Sequence, residues 1–278
     1  MSAATAPARH QRPSILGTDA RRFWSLTWTL AVTDFKLRFY GSVLGYVWTL
    51  ARPFLFFGVI YLVFSEIAGL DANVDHYGVY ILFGLVIFQF FGETTSNCVR
   101  CLAAREGLLR KMRFPRLVIP LSVVLTAIFN LGGTLAAALV FAIATGVYPT
   151  WGWLELPVII VLVGAFATGI GLMLSALFVR YRDVAPIWEV ASQMLFYISP
   201  ILYVTTLVPE QYRDAYLVNP LAVLLTEMRA AVVDPSAPHP WDLASPLALV
   251  LAAAIGATAV VLGILVFIRQ APRIAEDL

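Results

Sequence analysis

Long apolar runs, separated by segments of opposite charge character, leave this chain one class of fold. Six runs stand out: residues 48–66, 77–97, 117–147, 156–178, 186–205 and 246–268. A helix rises ~1.5 Å per residue, so ~20 residues cross ~30 Å of hydrocarbon, and every run is long enough. Of the 278 residues 60% are hydrophobic and only 13% charged, more apolar surface than one soluble core could hide. Lipid accepts that surface. Two-residue alternation is missing, which excludes a transmembrane β-barrel and leaves helices. The expected fold class is an all-α integral membrane protein with six transmembrane helices. The third run is too long for a straight span. Its start near Pro120 lies at the interface, or it bends near Asn130–Gly133.

Charge then orients the spans. Seven basic residues precede or open the first run: Arg9, Arg12, Arg21, Arg22, Lys36, Arg38 and Arg52. Six lie between the second and third: Arg100, Arg105, Arg110, Lys111, Arg113 and Arg116. Arg180 and Arg182 lie between the fourth and fifth, and Arg269 and Arg273 follow the sixth. All of these fall on one side. The opposite loops are acidic, with Glu66, Asp71, Asp75, Glu155, Glu210, Asp214, Glu227, Asp234 and Asp242 against only Arg213 and Arg229. The positive-inside rule makes the basic side cytoplasmic and puts both termini there. The net charge of +2 carries no information of its own. Topology accounts for the basic residues, so they make no case for nucleic acid. Residues 1–22 lack an apolar stretch and read as a cytoplasmic tail, not a signal peptide. Residues 23–278 read as a single transmembrane domain.

Three segments outside the spans carry mixed signals. Residues 23–40 alternate Phe23, Leu26, Leu30, Phe35, Leu37 and Phe39 with Asp34, Lys36 and Arg38. This predicts an amphipathic helix in the headgroup plane, with Phe35 toward lipid and Lys36 and Arg38 at the phosphates. A plain water-exposed start of the first span is the competing interpretation. Residues 103–112 predict a short basic helix, stopped by Phe114-Pro115. It is either a solvated positive-inside loop or a docking element; Leu108, Leu109 and Phe114 favour docking, because a solvated loop does not need them. Between the fifth and sixth runs, Pro209 and Asn219-Pro220 mark two helix starts, with Asn219 as the cap and Pro220 in the first turn. The helices they begin are too short to span. They predict an outer re-entrant or interfacial hairpin.

Catalytic chemistry is not indicated. His10, His76 and His239 are scattered. Cys98 and Cys101 form a CxxC with no further ligands nearby, so two reduced thiols are expected and no metal site. Glu93 has two interpretations, a functional carboxylate inside the second span or one that reaches the interface. Gly164, Gly169, Gly171 and Ser175, with Ala252–Ala254, Gly256 and Gly263, suit close helix packing. Aromatics gather in the first and fifth spans. Sugar rings stack on such faces, as bases do on aromatic platforms, although aromatic belts at the membrane interface use the same residues.

Four motifs then fall in order along the chain. The run from Phe35 to Pro53, FKLRFYGSVLGYVWTLARP, resembles the approach to the first span in type-2 ABC exporter permeases. The branch it resembles handles O-antigen, capsule, teichoic acid and cell-wall galactan. LLRKMRFPR, from Leu108 to Arg116, resembles that family's cytoplasmic coupling segment. Arg182-Asp183 resembles its Arg-Asp pair ahead of the fifth span. Ser199-Pro200-Ile-Leu-Tyr203 and Asn219-Pro220 resemble the end of that span and the outer helix after it. The resemblance covers about residues 24–270. Arg52 departs from it, since relatives more often carry an uncharged residue before this proline; the lining at the first turn of the first span is therefore open.

What the resemblance implies is half of a transporter. Two copies of the chain form the pathway, and two ATP-binding-cassette ATPase subunits dock below. ATP and Mg then belong to the partner, and no cofactor is expected in this chain. The chain's two lysines, Lys36 and Lys111, sit in no Gly-rich phosphate loop, which agrees. The implied ATPase-coupling residues are Arg105, Leu108, Leu109, Arg110, Lys111, Phe114, Pro115, Arg116, Arg182 and Asp183. With the pathway walls placed in spans one and five, Phe54, Tyr61, Trp188, Tyr197 and Tyr203 become candidates to line a duct. The implied cargo is a lipid-linked polysaccharide moved out across a bacterial cytoplasmic membrane. A drug or small-lipid permease of the same family is the alternative. A membrane glycosyltransferase or acyltransferase would need an acid/base set that the outer acids do not form. A secondary transporter would show repeats or mid-span charges.

Overall fold

The structure is a computed structural model and describes residues 20–39, 43–67, 69, 74–111 and 115–271. Most of the predicted tail, and Phe114 of the coupling candidates, lie outside them. The rest is built of helices joined by short turns: α1 (Ala20–Phe39), α2 (Val43–Leu62), α3 (Tyr77–Ala104), α4 (Glu106–Lys111), α5 (Val118–Ala144), α6 (Glu155–Arg180), α7 (Val184–Ile198), α8 (Glu210–Tyr216), α9 (Pro220–Met228), α10 (Pro240–Leu243) and α11 (Pro246–Gln270). Two single π turns extend α2 and α9, at Val63–Ile67 and Arg229–Val233.

α3 forms the axis of the bundle. Every residue from Val79 to Ile87 is buried, as expected of a helix that is apolar on all sides. α2, α5, α6 and α7 pack around it, and α11 packs on α6. Small residues set the last contact. A Cβ placed on Gly263 would lie 2.0 Å from the carbonyl oxygen of Gly169, and one on Gly169 would lie 2.6 Å from Cα of Val260. Only glycine permits that approach, so the packing role expected of these two residues holds. Most of α11's other surface is exposed, as a lipid-facing helix should be.

The six apolar runs do not all become long helices. Four are long and apolar enough to cross a membrane: α3, α5, α6 with the turn before it, and α11. In α2 the apolar stretch is shorter, Ala51–Ser65, and carries an exposed Arg52 near its start. α7 has 15 residues and ends at Ile198, short of the expected 205. Pro200 is the cause: a residue before proline is driven out of the helical region, and Ser199 is extended (φ −83°, ψ 150°). α5 runs unbroken for 27 residues with Pro120 in its first turn, where the missing N–H costs nothing. α8 and the helical stretch beginning at Pro220 meet at 110°, a broken pair that brings the spanning total to five if counted as one span.

α1 is a helix as predicted, but its surroundings differ from the expectation. It lies along α5 and buries Phe23, Thr27 and Ala31, one residue every four. Thr126 of α5 donates to the Ala31 carbonyl at 3.3 Å. Phe35 is half-buried with its ring edge-on to Phe129, 5.8 Å between centroids, so it does not simply face lipid. Trp24, Lys36 and Leu37 point away from the bundle.

Candidate functional site

The segments read as cytoplasmic from their charge gather at one end of the bundle. There Cys101 and Leu102 of α3, Ile119 of α5, Leu172, Ala176 and Val179 of α6 and Phe267 of α11 form a separate apolar cluster. Both cysteines are free and buried, as expected of structural thiols. Arg180, Arg182 and Arg269 lie at the same ends of their helices.

α4 projects from this end. α3 continues to Ala104, two residues into the helix expected to begin at 103, and Arg105 breaks the run (φ −115°, ψ 25°). α4 then starts at Glu106. Leu108 and Leu109 are both half-buried, and Leu109 packs on the inner cluster. Leu109 is therefore partly used inside the subunit. Arg110 and Lys111 lie on the last turn of α4. Pro115 and Arg116 precede α5, and their carbonyls accept the N–H groups of Val118 and Ile119 at 3.1 and 3.2 Å. Arg182 and Asp183 occupy the exposed turn between α6 and α7, with the Arg182 guanidinium 5.0 Å from the Phe178 ring centre.

Glu93 ties three helices together. It accepts from Arg38 Nη1 and from Asn130 Nδ2, both at 2.6 Å, and so joins α1, α3 and α5. One turn of α3 nearer its start, the same helix wall carries Gln89, and a small cleft opens between Gln89, Glu93, Asn130 and Thr134. Sequence reasoning missed Asn130 because a lone Asn in an apolar helix has no partner visible along the chain.

At the opposite end two distant motifs meet. Asn219 Nδ2 donates to Ser199 Oγ at 3.2 Å, while Asn219 Oδ1 accepts the Leu221 N–H at 3.1 Å. The predicted cap is thus present, with Pro220 at the first helical position. Thr205 and Thr226 hydroxyls sit 2.7 Å apart. The corner after α7 is pinned to α3 by two tyrosines: Tyr77 donates to the Leu202 carbonyl at 2.7 Å, and Tyr80 reaches the carbonyls of Pro200 and Tyr203. Arg229 lies over the Tyr80 ring, 5.6 Å from its centre, and 3.8 Å from Asp234. Tyrosines at 77 and 80 were the available signal, two polar tips in an apolar helix that must find acceptors.

The duct candidates divide by environment. Phe54 and Tyr61 are half-buried on α2, Tyr61 beside Tyr77 and Gly78. Trp188 is half-buried on α7 and donates its indole N–H to Thr95 at 3.2 Å. Tyr197 is 59% exposed. Tyr203 lies past the helix end, where its hydroxyl donates to the Tyr197 carbonyl at 3.0 Å. α2 and α7 each pack on α3. Phe88 of α3, which the sequence did not single out, meets Phe196 of α7 edge-on at 5.2 Å in the same aromatic layer.

Residues 25–233 match the family model of the ABC-2 type transporter. The chain belongs to the ABC-2 type transporter family. All four sequence motifs lie inside the matched region, which ends before α10 and α11. Among its relatives, this ABC-2 protein is 30% identical over 197 residues to the O-antigen export system permease protein RfbA of Klebsiella pneumoniae, covering 70% of this chain and 75% of the relative. The protein of the same name from Myxococcus xanthus is 30% identical over 204 residues, 73% of this chain and 78% of the relative. The polysialic acid transport protein KpsM of Escherichia coli is 23% identical over 206 residues, 73% and 80% of the two chains. This ABC-2 chain is a multi-pass membrane protein.

Proposed function

We propose that this chain is the permease subunit of an ATP-driven exporter that moves a lipid-linked polysaccharide from the cytoplasm to the outer side of a bacterial membrane. The observation that carries this reading is the 30% identity to O-antigen export permeases over 70% of the chain. The chain supplies the passage and not the energy. Two copies would form the passage, and two separate ATPase subunits would dock at the basic end. The basic end would face the cytoplasm with both termini, because positive segments are retained on that side.

The chemistry fits a sliding polymer. A duct that held any one sugar tightly would stall release, so many weak contacts serve better than a few strong ones. Aromatic faces provide such contacts without hydrogen-bond partners to satisfy. Phe54, Tyr61, Trp188, Tyr197 and Tyr203 are proposed to contribute them. The hairpin of α8 and α9 would re-enter the membrane at the outer exit, its turn held by the Asn219–Ser199 contact and its base by the Thr205–Thr226 contact. α1 would lie in the inner headgroup layer, with Trp24 and Leu37 in lipid.

The test is at α4. Leu108→Asp and Phe114→Asp should release the ATPase during purification in mild detergent and stop export, with the permease still present in the membrane. Leu109→Asp should do so too, with some loss of stability from the inner cluster. An ATPase that stays bound to all three variants, with export unchanged, would remove α4 as the docking element.

A further inference from the structure

We propose that Arg105 is a positioning residue that transmits movement of α4 to α1 through Asp34. The proposal rests on α4 being the ATPase contact.

Arg105 is the single residue between α3 and α4. Its N–H closes α3 by bonding to the Leu102 carbonyl at 3.2 Å, and its own carbonyl opens α4 by accepting from Leu108 and Leu109, each at 3.0 Å. A hinge needs nothing more. Yet its side chain reaches across to two other helices. One guanidinium nitrogen meets the Asp34 carboxylate of α1. The other donates to Ser122 Oγ of α5 at 3.2 Å. Ser122 can accept because its own hydroxyl hydrogen goes to the Ile119 carbonyl at 2.7 Å. The Arg105 side chain is 20% exposed and Asp34 31%, so the pair is partly shielded from water. A planar guanidinium with donors in a fixed fork holds two partners in one geometry better than a lysine could.

Four residues further along α1, Arg38 pairs with Glu93, and Glu93 in turn holds Asn130. Asp34 and Arg38 are one helical turn apart, on one face. Besides its packing on α5, α1 is thus tied to the bundle by two ion pairs of different character. The Glu93 attachment belongs wholly to α3 and α5, away from α4. The Arg105 attachment sits at the root of α4 and must shift when α4 turns. A push on α4 therefore reaches α1 through the Arg105–Asp34 pair, one turn from the residue that Glu93 holds. α1 precedes α2, the span that carries Phe54 and Tyr61.

The experiment uses the full permease with its ATPase. Arg105→Ala, Asp34→Ala, the double variant and the reversed pair Asp34→Arg/Arg105→Asp are compared for glycan export, ATP hydrolysis and ATPase retained on purification. Each single change should lower export about tenfold, within the range of couplings between distant sites, while retained ATPase and hydrolysis stay within about twofold. More ATP is then spent per exported chain. The double variant should be no worse than either single, and the reversed pair should recover export to within about threefold of the parent, because the partners act as a unit. Ser122→Ala, which spares the ion pair, should stay within about twofold. The proposal is overturned if the reversed pair exports no better than the singles at equal amounts of folded protein, or if the double variant is multiplicatively worse. It is also overturned if export falls only in proportion to lost ATPase. Failure of the docking reading looks different: the Leu108→Asp variant would keep its ATPase whatever the Arg105 variants do.

Discussion

Replacing Glu93 tests whether that carboxylate is a structural tie. It makes two contacts of unequal worth. The Arg38 side chain is 40% exposed, so solvent screens that pair and it contributes ~1 kcal/mol or less. Asn130 is 7% exposed, and its Oδ1 already lacks a partner, so its Nδ2 depends on Glu93. A buried hydrogen bond to a charged acceptor is worth ~1.5–3 kcal/mol. Glu93→Ala should therefore cost ~2–4 kcal/mol. Glu93→Gln keeps an acceptor for both donors and should cost ~1 kcal/mol, and Arg38→Ala no more than that. At ~2–4 °C per kcal/mol for a protein of this size, Glu93→Ala should lower the midpoint of thermal unfolding by ~5–10 °C and the other two by only a few degrees. The assay is heat-induced loss of the monodisperse peak of detergent-purified protein. Two results would refute the reasoning: an Arg38→Ala loss as large as that of Glu93→Ala, or a Glu93→Gln loss equal to it. Either would mean that the Asn130 bond is not the dominant contact.

Three other expectations are independent of that one. Gly263→Val should force α6 and α11 apart, since its Cβ would stand 2.0 Å from the Gly169 oxygen; a loss of ~1–3 kcal/mol is expected, whereas Gly256→Ala, whose nearest neighbour is 4.0 Å away, should unfold at the parent temperature. Asn219→Ala should remove both the α9 cap and the Ser199 bond at a cost of ~1–2 kcal/mol, seen as faster hydrogen exchange in Pro220–Met228; unchanged exchange there would show that Pro220 alone sets the helix start. Alanine at any one of Phe54, Tyr61, Trp188, Tyr197 and Tyr203 should slow export modestly, each contact being worth ~1 kcal/mol, and all five together should slow it severely. Cysteines at these positions that never react with water-soluble thiol reagents, with normal export by the combined variant, would place the duct elsewhere.

The class of protein was legible along the chain. Lipid rewards long apolar runs wherever they occur, and basic residues are held on one side of a membrane, so both signals are local and additive along the chain. Features written within a few residues were legible too, such as the Asn219 cap and the first-turn Pro220. The length of α7 was legible in principle, because Pro200 acts on its immediate neighbour, but an apolar run outweighed it. Tertiary structure decided everything that depends on two helices meeting. Glu93 had two plausible roles until Asn130, 37 residues away, and Arg38, 55 residues away, were brought against it. Arg105 stood among the coupling residues that the resemblance implies, but its partners Asp34 and Ser122 came only with the fold. Phe35 read as a lipid anchor until Phe129 took its edge. Hydrophobicity is a property of one residue and its solvent, whereas an ion pair or a buried amide bond is a property of two residues and the packing that places them. Only the folded chain specifies that packing.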